Sequence, residues 1–410
     1  ALQYQDYRNL WIATTFSASA AWALIIARGL LAFELTDGLL WSGIVTFAAM
    51  VPRLFATPIS GFLADRFDRQ KLLRWIFALN MGNNILLALL VMTGLVGPWI
   101  LTLLALVNGT LRASQMTTAT ALIPNLVPKE HLMNAIALNQ ATQQGARLAG
   151  AMAIAPLLGL VNIESAFWLC SGLYFLGFLQ VSRMTTRSTG VIDESQGFWA
   201  NMFEGFVYVY KRPIIMSMVL LVLAHCAFTM SYESMLPAIS EDKMGTGRVG
   251  VSYLIAGVGA GALFASVFLA GVRSESTRGK LFLFFAFSSA LGPILLAWSD
   301  NTGLSVAATV IMGANQAGFM TISHTIIQSL TEDHVRGRVA GVYSVHVGGS
   351  MAVTNMANAA FADVFSASAV LVVGGLIFVA AVFVSLGVNP LRRLYFPRPE
   401  PAAAVGTPAD

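Results

Sequence analysis

Four arginines lie inside long apolar segments of this 410-residue chain: Arg28, Arg53, Arg112 and Arg147. An arginine at the centre of a membrane-spanning helix costs roughly 2.5 to 3.5 kcal/mol, so four together oppose insertion by on the order of 10 kcal/mol unless they face protein or water. The planar guanidinium forms paired hydrogen bonds with a carboxylate or phosphate. These arginines therefore predict a buried site for an anionic group.

Polar side chains recur at helical spacing beside two of these arginines. Asn139 and Gln143 precede Arg147 at four-residue steps, and Gln115 follows Arg112 by three residues. Residues at such spacings share one face of a helix. We therefore expect Asn139 and Gln143 to line the same site as the arginines.

The second half of the chain supplies neutral or titratable groups in place of fixed positive charge. The candidate substrate-binding residues there are Gln316, His225, His324 and His346. His346 begins a polar line that continues through Ser350, Thr354 and Asn358, which predicts a water-accessible pathway. If transport is coupled to protons, the histidines and the acidic residues Glu34 and Glu233 are the candidates.

The elements that must position these residues are membrane-spanning helices. The chain is 56% hydrophobic and only 11% charged, with a mean hydropathy of +0.71, which excludes an ordinary soluble domain. Its long apolar runs predict twelve spans. Of the 24 Lys and Arg residues, four lie within spans, Lys243 and Arg248 lie in a predicted outer loop, and the other 18 lie on the predicted cytoplasmic side. The positive-inside rule then places both termini in the cytoplasm and the chain in the inner (plasma) membrane.

The chain repeats itself once. The segment Gly109–Thr117 resembles the segment Gly313–Thr321 one half-chain later. We therefore predict an N-terminal six-helix bundle over 1–184, a cytoplasmic linker over 185–213, a C-terminal six-helix bundle over 214–396 and a disordered tail over 397–410. In the linker, Phe198, Met202, Phe206 and Val209 recur at helical spacing and predict an amphipathic helix.

One loop carries a family signature. Residues Gly61 to Lys71 read Gly-Phe-Leu-Ala-Asp-Arg-Phe-Asp-Arg-Gln-Lys, which resembles the G-x-L-A-D-R-x-G-R-[RK] motif of the major facilitator superfamily, with Asp68 in place of the usual glycine. Ile123–Ala135 and Arg336–Val339 look like its enterobactin-exporter and macrolide-efflux branch. The resemblance implies an all-α membrane fold of twelve helices in two pseudo-symmetric six-helix bundles, acting by alternating access, in most relatives as a monomer. It also implies gating by Gly61, Asp65 and Arg69, and Arg53 is a further candidate for the gate.

The sequence departs from the family pattern where antiporters carry their signals. The first span reads Ser19-Ala20-Ala21-Trp22 where related exporters often carry an acidic residue, and Gly150-Ala151-Met152 replaces the expected Gly-Pro motif after Arg147. Proton antiport therefore rests on analogy alone. The sequence also shows no phosphate-binding loop, no metal-ligand spacing and no catalytic constellation, so we expect no cofactor, no metal and no enzymatic activity.

Three functions remain open from the sequence. The first is a secondary exporter of an amphipathic anionic small molecule, such as a siderophore, a lipid or a drug-like compound, since Met and Phe on the predicted lining spans suit an apolar portion. The second is an uptake carrier for a small anionic nutrient. The third is a receptor or enzyme on the same scaffold. The net charge of +4 follows from topology and indicates no nucleic-acid partner; the expected partners are substrate, lipid and, if coupled, protons.

Overall fold

A computed structural model describes residues 1–186, 188, 198–270, 275–332 and 335–395. Over this part the chain is helical, with no strand. The helices are α1 Gln5–Thr36, α2 Leu39–Met50, α3 Arg53–Arg66, α4 Arg69–Met92, α5 Pro98–Leu126, α6 Lys129–Leu160, α7 Ile163–Ser182, α8 Phe198–Lys211, α9 Pro213–His225, α10 Leu236–Met244, α11 Gly247–Ala270, α12 Glu275–Ser288, α13 Leu291–Trp298, α14 Thr302–Ser329, α15 Arg336–Val364, α16 Ala367–Gly387 and α17 Asn389–Tyr395. The predicted tail lies outside the described residues.

Eight helical segments of the described chain are long and apolar enough to cross a membrane. The all-α membrane fold is therefore confirmed, whereas the count of twelve spans stays a prediction. Some spans are interrupted. Pro52 lies between α2 and α3, where a proline removes one helical hydrogen bond and bends the chain.

The segment that joins α9 to α10 is the most irregular part of the described membrane region. A π-helical turn covers Cys226–Met230, and a 3₁₀ turn covers Glu233–Met235. Side chains of α15 satisfy backbone groups that the break releases, since Asn358 Nδ2 donates to Ser231 O at 2.7 Å. Irregular backbone is tolerated in a membrane where protein or water satisfies it, and such turns often mark functional sites.

The two predicted bundles meet along two helix pairs. The α2–α3 segment runs antiparallel to α15, because Leu39 lies beside Asp363 while Gly348 lies beside Arg53. In the second pair, a Cβ on Gly259 of α11 would lie 2.6 Å from Leu148 N of α6, so glycine permits this close contact. We call the side of Ala1 and the α3–α4 loop the terminal face, and the side of Asp37 the opposite face.

Contacts between the bundles are concentrated toward the opposite face. Towards the terminal face, side chains on α5 and α6 are exposed, including Met116 and Met133, the latter at 76%. Part of α5 and α6 is therefore not covered by the other bundle towards the terminal face. The linker helix α8 packs on the start of α15, where Gly205 approaches the backbone of Arg338.

Candidate functional site

Arg147 lies where the two bundles meet near mid-membrane. Its side chain is buried, with the residue 7% exposed, and its Cζ lies 4.3 Å from the ring centroid of Trp22 on α1. Its Nη2 donates to Tyr232 Oη at 2.7 Å, while its Nε has no partner among the described residues. The guanidinium therefore retains an unused donor.

The broken segment between α9 and α10 supplies the groups that face Arg147. Glu233 Oε1 lies 3.9 Å from Arg147 Nη2, and Asn355 Nδ2 of α15 donates to Glu233 Oε2 at 3.0 Å. Tyr232 Oη also donates to Gln316 Oε1 at 3.4 Å, and Gln316 Nε2 donates to Thr229 O at 3.0 Å. A charge of the N-terminal bundle is thus compensated by a carboxylate of the C-terminal bundle.

Arg112 lies near the same tryptophan as Arg147 but farther from its ring. Its Cζ is 5.8 Å from the Trp22 ring centroid, and no hydrogen-bond or ion-pair partner for it occurs in the described chain. It lines a cavity of about 80 Å³ between α1, α5 and α6. Asn139 and Gln143 line this cavity too, whereas Arg147, with which their spacing groups them, is not among its lining residues.

Arg28 is held by an asparagine of α5. Its Nη1 donates to Asn108 Oδ1 at 2.9 Å, and Asn108 Nδ2 donates to Asn80 Oδ1 at 2.7 Å. The helix phase explains this, since Arg28 points towards α5. The residue is 4% exposed, and its Nε and Nη2 have no partner among the described residues. Arg53, at the start of α3, is half-buried beside Gly348 of α15.

The three histidines do not form one group. His225 is fully buried among aromatic rings: it stacks on Phe319 at 4.1 Å and bonds Ser289 Oγ through Nε2 at 2.9 Å. It therefore faces the core of the C-terminal bundle, and its expected place in the substrate site is not supported. His324 is exposed on α14 beside Tyr343.

His346 contacts the linker helix instead of the Arg147 site. Its Nε2 lies 2.8 Å from Tyr210 Oη, and its Nδ1 lies 2.8 Å from Val342 O. Farther along the predicted polar line, Ser350 donates to Leu223 O and Thr354 pairs with Ser231. The expectation of a water pathway along these residues is not supported, because they satisfy the polar groups of α9 and the break.

Two polar contacts hold the bundles together on the opposite face. Glu34 accepts from Arg248 Nε at 2.5 Å and Nη2 at 2.8 Å, so this coupling candidate lies in an interbundle ion pair away from Arg147. Asp363 at the end of α15 accepts from the backbone N–H groups of Leu39 and Leu40 at 2.7 and 2.8 Å. A carboxylate there interacts favourably with the positive N-terminus of α2.

The signature loop is anchored within the N-terminal bundle. Arg69 Nη1 donates to Ala121 O at 2.9 Å and to Asn125 Oδ1 at 3.1 Å, both near the end of α5. Asp68, which replaces the glycine of the motif, accepts hydrogen bonds from the backbone N–H groups at the start of α4. It therefore caps this helix, which explains why an aspartate fits at this position. A Cβ on Gly61 would meet no described atom within 4 Å, so no described residue packs closely against this glycine. The Asp65 side chain lies outside the described part.

Sequence reasoning missed three members of the site. In the sequence analysis, Trp22 belongs only to the stretch where related exporters often carry an acidic residue. A tryptophan in a span near buried arginines also indicates a cation–π contact. Tyr232 sits in the break, which hydropathy alone does not show. Asn355 follows Thr354 of the predicted polar line by one residue and therefore lies on a different face of α15. Its contact with Glu233 shows only once the orientation of this helix is known.

Comparison with known proteins identifies the family and agrees with the fold. The profile described as "Transmembrane secretion effector" matches residues 1–394. The chain is 24% identical over 347 residues to the multidrug efflux pump Tap of Mycobacterium tuberculosis, covering 80% of each chain. It is 22% identical over 214 residues to the uncharacterized MFS-type transporter YfiS of Bacillus subtilis, a match that spans 51% of this chain and 50% of that transporter.

Solved structures support the same fold. The nucleoside transporter NupG superposes with a TM-score of 0.74 at 11% identity, covering 96% of this chain and all of NupG. A POT family transporter in complex with 5-aminolevulinic acid gives a TM-score of 0.72 at 9% identity, covering 94% and 96% of the two chains. At these identities the similarity concerns the fold alone.

Proposed function

The chain belongs to the transmembrane secretion effector family of the major facilitator superfamily, and from that premise we propose that it exports an amphipathic anionic small molecule by alternating access. That it is a multi-span membrane transporter follows from the family; the substrate class and the mechanism are our proposal. The observation that carries the proposal is the set of contacts that Arg147 makes: with Trp22 of its own bundle, and with Tyr232 and Glu233 of the other bundle.

The site has the parts that an amphipathic anion requires. Arg147 and Arg112 offer hydrogen-bond donors and positive charge, and the Trp22 ring offers an aromatic surface near both. The amides of Asn139 and Gln143 and the exposed Met116 line the adjoining cavity. A flexible thioether such as Met116 adapts to differently shaped apolar groups, which accords with a relative named as a multidrug efflux pump.

Alternating access is supported by the position of the compensating carboxylate. Arg147 belongs to one bundle and Glu233 to the other, and both lie away from the Glu34–Arg248 and Asp363 contacts that close the opposite face. Rocking of the bundles about this site would open the opposite face and close the terminal face. The signature loop with Gly61, Asp65 and Arg69, together with Arg53, would then gate the terminal face.

The sign of the substrate charge bears on the driving force. An anion that leaves a cell with a negative interior gains about 2.3 kcal/mol per elementary charge for each 100 mV of membrane potential. The proposed export therefore requires no proton, which is consistent with the missing acidic residue near Trp22. Glu233 is the remaining coupling candidate, through competition with the substrate for Arg147.

Transport in vesicles of known orientation tests the proposal. We expect 1-anilinonaphthalene-8-sulfonate to accumulate in inside-out vesicles when the potential is positive inside the vesicle, and Arg147→Met to abolish this accumulation. The neutral counterpart N-phenyl-1-naphthylamine should move little in either variant. Accumulation confined to right-side-out vesicles would favour the uptake carrier, and equal transport of both probes would refute recognition of the anionic group.

A further inference from the structure

A mainly apolar groove on the surface of the C-terminal bundle carries a positive charge at one end. We call it the α12 groove; α12 contributes Lys280, Leu283, Phe284 and Phe287 to its lining, and α13 contributes Leu291. Phe284 is 60% exposed and Leu291 is 49% exposed, so the groove is open along its side. From this arrangement we infer a binding site for a phospholipid with an anionic headgroup, in the membrane leaflet on the terminal face.

The α12 groove has the depth of one leaflet. Helices α12 and α13 form one candidate span, Thr277–Trp298, and Lys280 lies three residues after its start. This start is on the terminal face, because α11 begins beside Arg248 on the opposite face and leads into α12. Lys280 and Leu291 are 11 residues apart, which corresponds to about 16 Å along a helix, and half of the hydrocarbon core is about 15 Å thick. The groove therefore matches the length of an acyl chain in this leaflet.

A break in the span sets the inner end of the groove. Helix α12 ends at Ser288 and α13 begins at Leu291. Pro293 lies in the first turn of α13 and has no N–H group to continue the helical hydrogen bonds across the break. The Phe287 ring contacts Phe383 of α16, with the ring centroids 5.0 Å apart. The wall of the groove is thus held by packing against a neighbouring helix.

The polar groups of the groove select an amphiphile. Two polar lining residues are already paired, since Ser288 Oγ donates to Asn315 Oδ1 at 2.7 Å and Tyr395 Oη lies 2.9 Å from Ser385 Oγ. Lys280 is exposed and has no ion-pair partner among the described residues. The groove thus offers hydrocarbon contacts along its length and a free cation at the membrane surface. An acyl chain below an anionic headgroup satisfies both.

Helix α17 adds a second positive charge at the same end. The backbone of Leu394 lies directly against Gly279, where a side chain would clash, so α17 crosses α12 beside Lys280. Arg392 of α17 is exposed. A Lys or Arg near the membrane surface strengthens the binding of anionic lipid about fivefold. The groove shares no lining residue with the Arg147 site, so the inference does not depend on the proposed export function.

Native mass spectrometry of the full chain tests the inference, with dioleoyl phosphatidylglycerol or dioleoyl phosphatidylcholine titrated into protein in a neutral detergent. We expect one phosphatidylglycerol to bind wild type about fivefold or more tightly than phosphatidylcholine. Lys280→Gln should lose most of this preference, whereas the charge-preserving Lys280→Arg should retain it. Lys129→Gln is the matched control and should also retain it, because Lys129 is an exposed lysine at the start of α6, on the terminal face of the other bundle.

Photolabelling in lipid nanodiscs locates the bound lipid. Phosphatidylglycerol with a diazirine near the end of one acyl chain should label residues within 283–291, and an excess of 1-anilinonaphthalene-8-sulfonate should not reduce the labelling. The inference is wrong if wild type binds both lipids equally, if Lys280→Gln keeps the wild-type preference, or if the label lies elsewhere. Competition by 1-anilinonaphthalene-8-sulfonate would also overturn it and would assign the groove to the transported compound. None of these results requires transport, so failure here is distinct from failure of the proposed export function.

Discussion

Replacement of Glu233 by glutamine should tighten the binding of an anionic substrate. The carboxylate lies 3.9 Å from Arg147 Nη2, and glutamine keeps an oxygen that can accept from Asn355. An anion on the free side of the guanidinium would lie about 8 Å from Glu233, where the repulsion is about 2 kcal/mol at an effective dielectric constant of 20. Removing that repulsion corresponds to about 30-fold in affinity.

Equilibrium dialysis in nanodiscs measures this effect with the same pair of probes. We expect Glu233→Gln to bind 1-anilinonaphthalene-8-sulfonate about 10- to 30-fold more tightly than wild type, by the same electrostatic argument, and the neutral N-phenyl-1-naphthylamine with unchanged affinity. The double variant Glu233→Gln/Arg147→Met should lose the gain. Unchanged or weaker anion binding by Glu233→Gln would refute the competition between Glu233 and the substrate, and an equal gain for both probes would indicate altered packing instead.

Three further changes test other parts of the mechanism. Trp22→Ala should weaken anion binding about 3- to 30-fold, because a cation–π contact contributes about 0.5 to 2 kcal/mol. Trp22→Phe should lose less of the anion affinity. If Trp22→Ala bound the anion as tightly as wild type in dialysis, the ring would not belong to the site. Gly61→Leu should fold normally, because a Cβ at this position meets open space, and it should block vesicle transport if this helix end closes the terminal face. Gly82→Leu on α4 is the matched control, since a Cβ there also meets open space. Wild-type transport by Gly61→Leu would contradict the gate. Asp363→Asn removes the charge from two hydrogen bonds that close the opposite face, each with a net value of about 1.5 to 3 kcal/mol. The conformation with a closed terminal face should then become more populated, so thiol labelling of Met133→Cys from that face should slow. Unchanged labelling would mean that these bonds do not stabilise the present conformation.

The sequence predicted the bundle helices and the cavity-lining faces because both follow from periodicity. Asn139 and Gln143, four residues apart on α6, line one cavity together, and Arg112 of α5 lines it from the neighbouring helix. The sequence could not predict partners across bundles, because these depend on helix crossing and on the break after α9. Glu34 illustrates the limit: as an acidic residue in a predicted span it is a coupling candidate, yet it lies exposed against Arg248 on the opposite face.

The histidines show why residue type alone is a weak guide. A histidine in an apolar span either binds a ligand or is hydrogen-bonded within the protein core. The sequence does not distinguish these roles, because they depend on which residues of the neighbouring helix face the ring. His225 is enclosed by Phe319, Phe378 and Ser289, so its polar edge is satisfied within one bundle. Arg147 differs because its partners Tyr232 and Glu233 come from the other bundle.

That difference gives the site a means of linking ligand binding to conformation. A ligand shifts an equilibrium between two conformations only by its difference in affinity for them. Because the arginine and its compensating carboxylate belong to different bundles, any movement that separates the bundles at this depth leaves Arg147 without Glu233. A bound anion would then supply the missing charge, so its affinity must differ between the two conformations.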